Sequence, residues 1–234
     1  LWAAGAASVL LPGLAFAAFT LIGLAIDDPA TQAAVEKHTI MRPLSPVSFQ
    51  GSDTITEWLL NHPVAAATLA RHLYPPLEKY QVTERSDGRF EVNDLASLRG
   101  HFREVARGPN RRVFYCHGQF RSLSYIMSLS GGMVFTLEHR GLSTGPDARA
   151  EVAPVLYLRL DNVVAHGTLK LLAPLIHGII DRRVANLAAA TQAVGERIAK
   201  DPVGLYQEMQ TWPDARRIDV EAFRRAFAPQ ETGE

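Results

Sequence analysis

Asn162, His166, Lys170, His177 and Asp181 fall along one line of the longest helix-like run in the chain, residues 161–199. His166 and His177 are separated by close to three helical turns, so they share a face if the helix is continuous. His177 and Asp181 stand one turn apart, as i, i+4 neighbours do. An imidazole beside a carboxylate is the pattern of a general base and the group that orients it, suited to hydrolysis or isomerisation. The same stripe also suits a few polar contacts that orient a ligand, or residues that flank a buried face and bond backbone or water. A second group sits on the strand-like run 111–121, where Tyr115, His117 and Gln119 alternate with Phe114, Cys116 and Phe120. Cys116 and His117 therefore point to opposite faces and cannot form a nucleophile–base pair; Cys116 reads as a small core residue. His117 and His139, the latter on the strand-like run 132–140, are expected to meet on neighbouring strands and face a cavity, or else to share a half-exposed sheet face.

Other chemistries lack their signatures. The 8 histidines include no HExxH and no His-x-His pair, and the single cysteine excludes an internal disulfide and a thiolate zinc site. There is no nucleophile elbow, no dinucleotide fingerprint and no P-loop; Ser130-Gly131-Gly132 is a turn signal. We therefore expect no metal and no cofactor, and assign no catalytic residue. A net charge of +0 without a basic, aromatic-interleaved stripe gives no argument for nucleic acid.

These side chains need elements to hold them. Within 161–199, Val163 to Ile180 is apolar almost all round, whereas the part after Asp181 is amphipathic. Pro174 predicts a break near 173–174 and two helical pieces, ended by Asp201-Pro202. Upstream, Thr54-Ile-Thr-Glu57 has capping-box spacing and opens a helix pair over 54–60 and 63–74. Tyr80 to Val92 reads as a hairpin with Asp87-Gly88 as a two-residue turn. Asp94 to Arg107 fits a helix capped by Asp94, and 111–121, 132–140 and 151–160 are strands. Residues 219–228 (DVEAFRRAFA) suggest a short peripheral helix.

The first 26 residues carry no charge, enough to cross a bilayer with some tilt. Ala15-Phe16-Ala17 and Gly23-Leu24-Ala25 equally resemble signal-peptidase sites. The segment is thus expected to be a transmembrane anchor or a signal helix. Asp27-Asp28, with only Lys37 and Arg42 following nearby, points to a main domain on the non-cytoplasmic side, anchored or exported in soluble form. Residues 27–51, rich in proline, read as a tether, 52–212 as the folded domain and 213–234 as a tail.

The element order over 52–200, with the VLYLRLDN strand-to-helix junction at 155–162, resembles the START-like, or helix-grip, superfamily. The resemblance implies an α+β fold in which a curved antiparallel sheet wraps a long, here kinked, C-terminal helix and encloses an apolar cavity. It implies a binding protein for a lipid or other hydrophobic small molecule. In that setting Tyr115, His117, His139, His166, His177 and Asp181 are the expected ligand-binding residues. Two rivals stand beside it: a small hydrolase or isomerase built on His177 and Asp181, and a non-catalytic accessory subunit whose apolar helix docks on a membrane-protein partner.

Overall fold

A computed structural model describes residues 19–122, 127–145, 148–161 and 166–228. The chain enters through a hairpin of β1 (Phe19–Leu21) and β2 (Leu24–Ile26). Its turn, Ile22-Gly23, has φ of 48° and 77°, the backbone of a primed two-residue turn. A β-branched residue is strained there, and Arg111 holds it by donating to the Ile22 carbonyl at 3.1 Å. Leu21 and Ile26 are buried with Val113 and Val134. The expected apolar helix over 1–26 is thus corrected: its last part is two core strands, and residues 1–18 lie outside the described residues. Among the described residues no helix is long and apolar enough to cross a membrane.

The expected tether is also corrected. Residues 27–51 form α1 (Pro29–Glu36), capped by the Asp28 carboxylate, and two strands, β3 (Ile40–Pro43) and β4 (Val47–Gln50), which pair in turn along one later strand. The helix pair follows as α2 (Asp53–Asn61) and α3 (Pro63–Leu73). The α2 cap is Ser52, two residues before the expected Thr54, because its side chain accepts from Ile55 N–H. β5 (Gln81–Glu84) and β6 (Phe90–Asn93) make the expected hairpin. Its loop is Ser86-Asp87-Gly88, closed by Arg85 N–H to Arg89 C=O, with Gly88 at φ 75°, so it has three residues rather than two.

The expected helix over 94–107 is instead β7 (Leu98–Gly108), paired with β6 and with β8 (Arg111–Ser122). Leu95, Leu98, Phe102 and Val105 satisfy a helical period locally, but long-range pairing on both sides outweighs it. β9 (Met127–Gly141) and β10 (Arg149–Leu160) complete an antiparallel, eight-stranded sheet of order β3-β10-β9-β8-β7-β6-β5, with β4 also on β10.

Beyond it α4 (His166–Lys200) runs as a single helix of about 52 Å. The expected break at 173–174 is absent from this element: Pro174 lies on the exposed side, where water can take the carbonyl that its ring leaves unbonded. α5 (Pro202–Thr211) and α6 (Val220–Phe227) close the chain. Phe223 is fully buried against Trp58, so 213–228 is part of the core, not a tail.

Hydrophobic cores form on both faces of the sheet but at different places. Phe49, Trp58, Leu69, Ile198, Leu205, Met209 and Phe223 bind α2, α3, α5 and the C-terminal half of α4 to β4. Gly195 lets α4 approach closely there: a Cβ would lie 2.5 Å from the Phe49 ring and 2.8 Å from the Gln50 carbonyl. On the opposite face Leu21, Ile26 and Ala34 cover Val113 and Val134.

Candidate ligand-binding face

Both sides of the sheet close on one turn of α4. Asp181 bonds Arg42 of β3 at 2.8 Å, and Arg183 bonds Asp94, just after β6, at 2.5 Å. β3 and β6 are five strand spacings apart, about 24 Å in a flat sheet. Only a strongly curved sheet brings both to the same helical turn. A line of glycines explains part of the curvature: Gly100 pairs with Gly118, which pairs with Gly131. A Cβ on each would lie 2.6, 2.9 and 2.3 Å from a carbonyl oxygen of the adjoining strand, so the backbones crowd inward along this line.

On the side facing α4, the register aligns Phe90, Phe102, Phe114, Cys116, Met133 and Phe135 from four adjacent strands. Phe90 stacks on Phe102 at 5.2 Å, and Phe102 meets Phe114 edge-on at 6.3 Å. All six are only half-buried, whereas Val113, Val134 and Thr136 on the opposite face are 1% exposed or less. Tyr80 and Cys116 sharpen the contrast. Burial pushes the Cys116 thiol up to about 12 and, with Cys116 beside it, the Tyr80 phenol also to about 12. Both nevertheless keep accessible surface. The raised values hold both in the protonated form at neutral pH.

Asp94 fixes the rim. Its burial raises the carboxyl pKa, but the N–H groups of Leu98, Ser97 and Ala96 and the Arg183 guanidinium outweigh this and hold it at about 2. Asp94 thus bonds the backbone as an N-cap would, yet the turn it caps leads into a strand. Because the folded value lies below the ordinary 3.8, this stabilisation is complete above that pH and is lost as pH falls toward about 2. Asp94→Ala is expected to cost about 3 kcal/mol, since it strands Arg183 and three part-buried backbone donors. Urea titrations across the acid range should show the wild-type advantage shrinking below pH 4.

A second polar group joins α2 to the sheet at the other end of the same face. Arg112, with a side chain 4% exposed, contacts Glu57; His139, with a side chain 0% exposed, places Nε2 2.8 Å from Glu57 and Nδ1 3.8 Å from Asp53. His139 therefore does not meet His117. The register puts His117 opposite Gly132, whose side of β9 is the one away from His139. His117 and Tyr115 lie on the face away from α4, where His117 neighbours His101 at 5.8 Å and Asp161 at 3.3 Å, and Arg103 sits over the Tyr115 ring at 5.1 Å. These two residues do not reach the apolar wall. His177 is half-buried on α4, and its expected partner Asp181 is engaged by Arg42 instead. The His166 side chain lies outside the described residues. Tyr80, Arg112 and Arg183 carry no signal in the sequence, Asp94 and Glu57 read there only as helix-cap residues, and the Asp94-x-x-Ser97 turn is the one local signal.

The arrangement is an antiparallel sheet closed on a long C-terminal helix, the layout that the resemblance read from the element order implies. No protein-family model matches the chain, and no curated protein matches it. Among solved structures it is similar to a conserved protein from Geobacillus kaustophilus (5% identity, TM-score 0.44), over 65% of this chain and 93% of that one. A START superfamily protein from Mycobacterium smegmatis is similar at 14% identity and TM-score 0.38, over 68% and 98%. The di-domain ARO/CYC StfQ from the steffimycin biosynthetic pathway is similar at 13% identity and TM-score 0.32, over 68% of this chain and 45% of that one.

Proposed function

We propose that this chain binds a lipid or other hydrophobic small molecule between the apolar sheet face and α4. We further propose that residues 1–18 anchor it to a membrane or direct its export, with the domain on the non-cytoplasmic side. One observation carries the binding reading: a row of aromatic and sulfur side chains, Phe90 to Phe135, keeps accessible surface beneath a helix that both sides of the sheet grip. A folded chain leaves that much apolar surface uncovered when a guest completes the packing. Tethering rests on the uncharged residues 1–18 and on Phe19, which joins them to the domain beside Tyr115. The catalytic rival finds less support, because Asp181 is engaged by Arg42 rather than by His177.

The test is uptake of a neutral, environment-sensitive dye such as Nile red by the full-length protein, compared with Cys116→Trp. The indole should fill the space and weaken dye binding by about tenfold or more, with little loss of stability. A solid interior predicts the reverse: no dye uptake by either protein, and an overpacking cost of about 1–3 kcal/mol in the variant.

A further inference from the structure

The face of the sheet turned away from α4 is covered only at one end. There β1, β2 and α1 lie over Val113, Tyr115, Val134 and Tyr157. Beyond α1 the register places no apolar side chain on this face among the described residues, from Glu91 of β6 to Arg159 of β10. Its charges do not balance. Arg85 and Arg99 share Glu91, Arg89 meets Asp87, and Asp161 faces His117. Arg121 and Arg159 meet no carboxylate among the described residues, so arginines outnumber acids here. At the border with α1, Asp28 holds Arg103, and Asp27 next to it in sequence is exposed.

At the end of this bare half a cleft of about 360 Å³ opens, lined by Asn93, Leu95, Arg99, Gln119 and Arg121 among others. Arg99 and Arg121 are exposed there, and so is Leu95, at 57% and with φ of 56°. Leucine seldom enters the left-handed region; this one is held there by Asn93 Oδ1, which accepts from its N–H at 2.8 Å. An apolar side chain turned outward beside arginines suits a surface that meets lipid, with guanidiniums at phosphates and the leucine in the acyl boundary. The path of the chain points the same way. The uncharged residues 1–18 join the domain at Phe19, which packs on this face in one cluster with Tyr115. Tyr115 pairs with Arg103, about 13 Å along β7 from Arg99. We propose that the bare half of this face lies against an anionic phospholipid bilayer, with Arg99 and Arg121 at its phosphates and Leu95 among its acyl chains. This rests on the anchoring reading above and adds the face that meets the membrane and the lipid charge it meets.

The experiment places the full-length Leu95→Trp protein in nanodiscs of phosphatidylcholine with about one-third phosphatidylglycerol, and in discs of phosphatidylcholine alone. The acyl chains are either plain or brominated near the headgroup, and the indole emission added over that of the wild type is read. The inference predicts that bromination cuts the added emission at least about twofold in the anionic discs and much less in the neutral ones. Arg99→Glu combined with Arg121→Glu should abolish that quenching; both side chains are exposed, so the fold should tolerate the change. Added emission that bromination leaves unchanged overturns the inference. So does equal quenching in both kinds of disc, or a charge-reversed protein quenched as strongly as its parent. In those cases the discs still hold the protein, so the anchoring reading survives. A protein that enters neither kind of disc removes the anchoring reading, and this inference with it.

Discussion

Arg112→Ala is expected to cost about 3–5 kcal/mol of stability, the range found when one partner of a buried ion pair is removed. The Arg112 side chain is 4% exposed and contacts Glu57, whose other basic partner among the described residues is the His139 ring. Taking it away leaves Glu57 facing His139 and, through that ring, Asp53. Glu104, 3.8 Å from the Arg112 Nε, loses a second partner and keeps Arg107. The group is built from two turns of α2 and from strands β7, β8 and β9, so its loss should free α2 from the sheet rather than loosen one loop. Urea denaturation with an unchanged slope would report the cost directly. A loss below about 1 kcal/mol would mean that water reaches these groups and that they act as an exposed pair does.

Gly131→Val should be nearly as damaging, at about 3 kcal/mol, the upper end of overpacking costs. Its Cβ would stand 2.3 Å from the Arg159 carbonyl oxygen and 3.2 Å from the Leu160 Cα, and both obstacles are backbone. Relief requires β9 and β10 to separate, which flattens the sheet along the glycine line. A flattened sheet no longer brings β3 and the Asp94 turn to the same part of α4, so dye uptake should fall together with melting temperature. Gly178→Ala is the control. A Cβ there meets nothing within 4 Å, and alanine favours the helix by about 1 kcal/mol, so stability should hold or rise. A Gly131→Val protein that melts like the wild type would show that crowding at this line is not what curves the sheet.

These positions show where sequence reading stops. The strands at 111–121, 132–140 and 151–160 were legible because alternation and β-branched or aromatic residues act locally, and α2 and α3 were legible from Pro63 and the Pro75-Pro76 stop. The stretch 94–107 was misread because four apolar residues happened to fit both periods. Only pairing with β6 and β8 decides between them, and Leu95, counted in the helical stripe, is 57% exposed at φ 56°. The uncharged run 1–26 gave no sign that Ile22-Gly23 turns a hairpin, since the usual Asn-Gly or Asp-Gly signal is missing.

The candidate site was legible in kind and not in detail. The excess of apolar residues around α4 pointed to a guest. The polar residues chosen from spacing along α4 and β8 fell on opposite faces of the sheet or to other partners. Tyr80 carries no periodic signal at all. Gly100, Gly118 and Gly131 align only once the register is known, because no local pattern links positions on three separate strands.

What occupies the space beneath α4 decides whether the sheet and the helix enclose a guest. Native mass spectrometry of the full-length protein, released from mild detergent and followed by organic extraction, measures that occupant. The expected spectrum contains a species heavier than the bare chain by one small molecule, recovered in the organic phase and lost in Cys116→Trp. A spectrum of bare chain alone, from a protein that also fails to take up Nile red, would contradict the claim that the sheet and α4 enclose a guest.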